Sequence, residues 1–192
     1  MIPEGVDLTG CRVLIGLTGG IAVYKMAGVV SALAQRGCGV TVAMTDAATR
    51  FVAPLTFQSL SGRAVLTSIW EDDHQADPQH IRLARDAQLM LLAPCSMNML
   101  GKLAQGRCDE VVSLLVAAID REKTPVLLAP SMNATMWNQP ATQRNIALLR
   151  TDGFEIIQPA SGWQACRTEG PGRLPEPEEL CRVVVERLQV PQ

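Results

Sequence analysis

Cys166 lies in Gly162-Trp163-Gln164-Ala165-Cys166, a run that continues to Gly170-Pro171-Gly172-Arg173. Core cysteines are seldom set among glycines and prolines. This thiol therefore reads as one carried on a loop able to fold over a site, with an incidental surface thiol as the plain alternative. Arg173 in the same run can pair with a phosphate or a carboxylate, or stand solvated. Asn133, in Pro130-Ser131-Met132-Asn133, carries an amide that can donate to a carboxylate. It could equally cap a helix, with Met132, Met136 and Trp137 as core. Ser96 and Asn98, in Ala93-Pro94-Cys95-Ser96-Met97-Asn98, open a predicted helix, and capping accounts for both. His80 is of the type that moves protons near neutral pH, although a lone histidine is more often structural or solvated. His74 sits in an acidic, polar stretch and reads as surface. Gly19-Gly20, before a predicted helix, can bring backbone N–H groups to a phosphate, or can simply make a tight turn. It fits neither a dinucleotide GxGxxG nor a Walker loop.

These residues need elements to hold them. Arg12 to Thr18 is an apolar, β-rich run ending at the glycine pair. Ala22 to Gln35 has helical apolar spacing, and Val40 to Met44 reads as a strand, giving one βαβ unit. Ala47 to Ser61 reads as helical with a break at Pro54. Leu89 to Ala93 and Pro125 to Ala129 are nearly continuous apolar runs, as buried parallel strands are. Ser96 to Leu103, Asp109 to Ile119 and Pro140 to Arg150 read as helices, and Phe154 to Ile157 as a last short strand. Residues 160 to 175 read as a loop, and Glu176 to Leu188 as an amphipathic helix. Strands alternating with helices predict an α/β domain with a mostly parallel sheet covered on both faces. Ligands in such sheets bind beyond the carboxyl ends of the strands. Gly19-Gly20, Thr45-Asp46, Pro94 to Asn98 and Pro130 to Asn133 all fall there.

The 192 residues suit one domain, and no linker divides the chain. With 47% hydrophobic and 19% charged residues the composition is globular. A net charge of −2 argues against binding nucleic acid through phosphate neutralisation. No apolar run reaches the length of a membrane span, and the start lacks a secretory pattern, so a cytoplasmic location is expected. The six cysteines form no CxxC pair, and the histidines are not spaced as zinc ligands beside them. No metal is expected.

Taken in order, these segments resemble the flavin-containing cysteine decarboxylase family. The likeness runs from about Arg12 to Pro177. It is carried by Thr18-Gly19-Gly20-Ile21-Ala22 with Tyr24-Lys25, His80-Ile81, Ala93-Pro94 with Ser96 and Asn98, Pro130-Ser131-Met132-Asn133, Met136-Trp137, and Ala165-Cys166 with Gly170-Pro171-Gly172-Arg173. The resemblance implies a Rossmann-like, flavodoxin-like domain that binds FMN between subunits of a homotrimer, sometimes built into dodecamers. Gly19, Gly20 and Ile21 would lie at the FMN phosphate, and Thr45, Phe51, Ser96 and Asn98 would line the flavin. His80 would be the catalytic base, Asn133 would hold the substrate carboxylate with Met132 and Arg173 beside it, and Cys166 would donate a proton. The implied chemistry is redox neutral. A cysteine thiol is oxidised to a thioaldehyde, CO2 is lost, and the resulting enethiolate is reduced.

Cys166 favours the branch acting on 4′-phosphopantothenoylcysteine in coenzyme A biosynthesis, because peptidyl-cysteine decarboxylases stop at the enethiol and lack this cysteine. A flavin prenyltransferase and a regulatory FMN-binding protein share the fold as further alternatives. The chain departs from the family's pattern at Met97, Met99, Arg167 and Gln88. It ends at Gln192 without a synthetase segment. A separate phosphopantothenoylcysteine synthetase is therefore an expected partner, unless the chain is cut from a bifunctional protein.

Overall fold

The computed structural model describes residues 2–3, 5–70 and 78–189; His74 lies outside them. Five parallel strands form the central sheet: β1 (Arg12–Leu17), β2 (Gly39–Met44), β3 (Leu89–Cys95), β4 (Val126–Pro130) and β5 (Glu155–Ile156). Their order is β2-β1-β3-β4-β5, the flavodoxin-like arrangement, whose switch point falls between β1 and β3. In register, Ile15 sits between Val42 and Leu91.

Alternation along the strands feeds two cores. Val13, Ile15 and Leu17 of β1 face one side with Leu89 and Leu91 of β3, and Leu14 faces the other with Met90 and Leu92. Each residue of β3 and β4 is buried, which is why these strands lack a polar face in the sequence. Helices α1 (Val23–Ala34), α3 (Pro54–Ser61) and α9 (Pro177–Gln189) close the first face through side chains such as Met26, Phe57 and Val184. Helices α4 (Gln79–Asp86), α5 (Met97–Ala104), α6 (Val111–Ala118) and α8 (Pro140–Thr151) close the second through Ala84, Leu100, Leu115 and Leu149. Two single-turn helices, α2 (Asp46–Thr49) and α7 (Ala134–Trp137), follow β2 and β4.

Three features depart from the sequence reading. The stretch expected as a loop over 160 to 175 contains an antiparallel hairpin, β6 (Ala160–Trp163) with β7 (Glu169–Arg173). Its strands lack apolar alternation, and Gly172 lies at φ 110°, so neither composition nor period announced it. The break expected at Pro54 is present but falls over residues 50–53, and Pro54 itself opens α3, where its missing N–H costs nothing. Helix α4 lies in a stretch for which the sequence offered no element, and its inward face rests on Ala84, with Ala87 just beyond it.

Candidate functional site

A cavity of about 620 Å3 opens beyond the carboxyl ends of β1, β3 and β4, against the β6–β7 hairpin. It straddles the switch point between β1 and β3. Thr18 fastens the two sides. Its buried hydroxyl donates to the Pro94 carbonyl at 2.7 Å and accepts from the Ser96 amide at 2.8 Å. The β4 loop is held in turn by Ser131, whose N–H donates to the Cys95 carbonyl at 3.0 Å.

The floor is the turn before α1. Hydrogen bonding into the helix begins with Val23 N–H donating to Gly20. Among the described residues the amides of Gly19, Gly20, Ile21 and Ala22 have no acceptor. They stand at the positive end of a twelve-residue helix, a ready anion cradle. Gly19 must be glycine, because a Cβ there would come within 2.6 Å of the Ala47 Cβ. Ser96 caps α5 by accepting from the Met99 amide at 3.2 Å and also lines the cavity.

Opposite the cradle stands Asn133. Its Oδ1 caps α7, accepting from the Met136 amide at 2.8 Å, while the residue also lines the cavity with Met132 and Met136. Capping and site-facing, set out as alternatives in the sequence, coexist here. Cys166 occupies the hairpin tip at the cavity wall and is exposed. Its Sγ lies 3.0 Å from Thr168 Oγ1 and 3.6 Å from Gln164 Oε1. Arg173, at the hairpin base, pairs with Glu176.

Glu176 also takes Lys25, which is only 8% exposed and bonds both carboxylate oxygens at 3.1 Å and the Leu174 carbonyl at 3.2 Å. The hydrogen bond from Lys25, aided by the charges of Lys25 and Arg173, holds the Glu176 carboxyl below its ordinary range. This cluster straps the hairpin base to α1.

The structure thus brings Gly19, Gly20, Ile21, Ser96, Met132, Asn133, Cys166 and Arg173 around one cavity. It leaves Thr45, Phe51, Asn98 and His80 outside it. Thr45 caps α2 through its hydroxyl, which accepts from Ala48 at 3.2 Å. Phe51 is 49% exposed just beyond α2. Asn98 is exposed on the first turn of α5, and His80 is half-buried on the first turn of α4.

The departures from the family's pattern find places. Met97 lines the cavity, whereas Met99 turns into the core. Arg167 takes φ 65°, a backbone state that suits glycine. Gln88 still supplies an acceptor, its Oε1 taking the Arg12 amide at 2.8 Å. Lys25 and Gln164 carried no role in the sequence reading. For Lys25 a signal existed, a charge on the inward stripe of Met26, Val29 and Leu33. Gln164 gave none.

These residues suit a flavin nucleotide: four open amides for its phosphate, walls of Met97, Met132 and Trp163 for its ring, and a volume within the roughly 300–1,000 Å3 usual for cofactor sites. The flavoprotein family model matches residues 1–189. This chain belongs to the flavoprotein family. The flavoprotein is 44% identical over 173 residues to the coenzyme A biosynthesis bifunctional protein CoaBC of Vibrio vulnificus, covering 90% of this chain and 42% of the relative. It is 40% identical over 177 residues to a probable phosphopantothenoylcysteine decarboxylase of Streptococcus mutans, covering 92% of this chain and 98% of the relative. The chain therefore spans less than half the length of the bifunctional relative but nearly all of the single-function one. Among solved structures, a PPC decarboxylase mutant complexed with pantothenoylaminoethenethiol superposes with a TM-score of 0.80 at 29% identity, covering 91% of this chain and 96% of that one.

Proposed function

We propose that this flavoprotein decarboxylates 4′-phosphopantothenoylcysteine to 4′-phosphopantetheine, with FMN as its flavin, in the cytoplasm. The observation that carries the reading is that Asn133, Cys166 and the open amides of residues 19–22 face one cavity. The Streptococcus mutans relative, similar over nearly its whole length, supports the substrate class.

Bound FMN would supply the two-electron redox chemistry without which a cysteine carboxylate has no sink for the carbanion left by CO2. The residues do the rest. The amides of Gly19, Gly20 and Ile21 hold the FMN phosphate, and Ser96 and Met97 shape the ring's edge. Asn133 directs its Nδ2 donors at the substrate carboxylate, because its Oδ1 is committed to Met136. Cys166 delivers a proton to the decarboxylated carbon, and Arg173 stands beside the substrate. His80 takes the proton from the substrate thiol. Because it lies outside the cavity of its own chain, it serves the cavity of a neighbour in a homotrimer. Phe51 and Thr45 line the flavin where the subunits meet. Trimers can assemble further into dodecamers, and a separate phosphopantothenoylcysteine synthetase would supply the substrate.

The test is anaerobic incubation with 4′-phosphopantothenoylcysteine, read by mass, beside Cys166→Ser. The parent should form 4′-phosphopantetheine and the variant an unreduced enethiol. Absence of CO2 loss by flavin-loaded parent would refute the assignment and direct attention to peptide C-termini.

A further inference from the structure

The Cys166 hairpin and the Asn133 loop are joined through one carboxamide, that of Gln164. This residue is 8% exposed, and each polar atom of its side chain is used. Its Oε1 accepts from the Ala134 amide at 3.1 Å and from the Cys166 thiol at 3.6 Å. Its Nε2 donates to the Pro171 carbonyl at 2.8 Å and reaches the Met132 carbonyl at 3.5 Å. The amide's orientation is fixed by these partners: two carbonyls can only accept, and a backbone N–H can only donate. Met132 and Ala134 are the residues on either side of Asn133. One buried group thus grips the Asn133 loop on both flanks, the opposite strand of the hairpin, and the thiol at its tip.

A buried amide costs stability unless its bonds are made. The bonds made here run between two functional side chains rather than within one element. Gly172 leaves the room: a Cβ there would meet the Met132 carbonyl oxygen at 2.3 Å. Asn133 has its own cap on Met136, a bond in which Gln164 takes no part. Among the described residues Cys166 has no comparable tie to the body of the molecule, since its other contact, Thr168, belongs to the same hairpin tip.

We propose that Gln164 is a positioning residue, setting the Cys166 thiol in register with the Asn133 amide. This rests on the reading that Asn133 holds the carboxylate and Cys166 gives the proton. Without Gln164 the Asn133 loop still supports CO2 loss, but the thiol is no longer held over the carbon it must protonate.

Two variants and two readouts test it. In Gln164→Ala the alkylation rate of Cys166 by iodoacetamide, divided by that of exposed Cys108 in the same molecule, rises severalfold. In a single turnover with 4′-phosphopantothenoylcysteine, the share of enethiol among decarboxylated products rises by up to about 10²-fold, the scale expected when a reacting group loses its alignment. Gln164→Glu keeps the shape and the acceptor. When ionised it sets a carboxylate against two carbonyls, and when protonated it donates again. Both ratios in this variant should depart from the parent at neutral pH and return toward it as pH falls.

A folded Gln164→Ala with the parent's alkylation and product ratios overturns the proposal, as does a Glu variant without pH dependence. A parent that releases no CO2 from this substrate would defeat the functional reading instead. The alkylation ratio would still decide the role of Gln164.

Discussion

Burial sets three cysteines of this chain apart from exposed Cys108 and Cys166, with Cys11 half-buried between them. Cys95 is fully buried and its thiol is pushed far above the ordinary range, while burial lifts Cys38 to about 12 and Cys181 to about 11. A thiolate in an apolar core lacks solvation, so these three are core atoms rather than nucleophiles. Alkylation of the native protein near neutral pH, read by mass, should modify Cys108 and Cys166 and spare these three until the chain is unfolded. Asn133 caps α7 with its Oδ1 and is proposed to hold the carboxylate with its Nδ2, and the two roles can be separated. Asn133→Ser keeps an oxygen able to cap α7 but removes the Nδ2 donors. Its melting should change little, by about 1 kcal/mol or less for an exchange among good caps. Its kcat/KM should fall about 10²-fold, the cost of deleting one donor aimed at a reacting group. An Asn133→Ser that keeps the parent's activity, beside an Asn133→Ala that loses activity and stability together, would mean that the cap is all this residue provides.

At the scale of elements, the strap between α1 and the hairpin base makes stability depend on acid. The Glu176 carboxyl is held below its ordinary value of 4.5 by Lys25 and then by Arg173. Above that ordinary value the group is ionised in the folded and the unfolded chain alike, and the ion pair contributes in full. As pH falls through the lowered folded value, the folded carboxyl takes up a proton and the contribution goes. The carboxylate is 52% exposed, so solvent screening keeps the effect small. The melting temperatures of the parent and Glu176→Gln should therefore differ most above the ordinary value of 4.5 and converge as pH falls below it; a gap that widened in acid would contradict the strap. The elements also show what a sequence can reveal. β1, β3 and β4 were legible because parallel central strands are apolar throughout, and α1 and α9 because each buries one stripe. The hairpin was not, because its pairing depends on glycine backbones and on Gln164 reaching Met132 and Pro171 across 32 and 7 residues. No local period encodes such contacts. Cys166 was legible as a residue facing a cavity for the same reason that its element was not: glycines and prolines mark a special backbone without saying which.

For the whole molecule, the placement of His80 decides what must be explained. Gly19, Asn133 and Cys166 could be grouped from sequence because each ends a strand or loop on one side of one sheet. His80 and Phe51 lie outside that cavity, and nothing in the periodicity of the sequence separates them from the residues that line it. Two apolar surfaces stand open. Ile21, Tyr24, Phe51 and Leu55 are 56%, 59%, 49% and 67% exposed, at the start of α1 and at and just before the start of α3, which packs against α1. Ile81, 43% exposed, lies beside His80 on α4, which covers the opposite face of the sheet. Single exposed apolar side chains are ordinary. Two different surfaces on opposite faces, one bordering the cavity and one carrying the expected base, suit a heterologous contact that closes into a ring. Such a ring makes a sharper prediction than its size. Phe51→Glu damages one surface and Ile81→Glu the other, so each variant alone should sediment as a smaller species with little flavin. Mixed together, they retain one sound interface per pair, formed by the intact surfaces of the two partners. Flavin absorbance should then reappear on a mixed dimer, at up to one site per two chains. An isologous contact, which pairs a surface with itself, would give no such recovery, and neither would a monomer that holds its flavin alone.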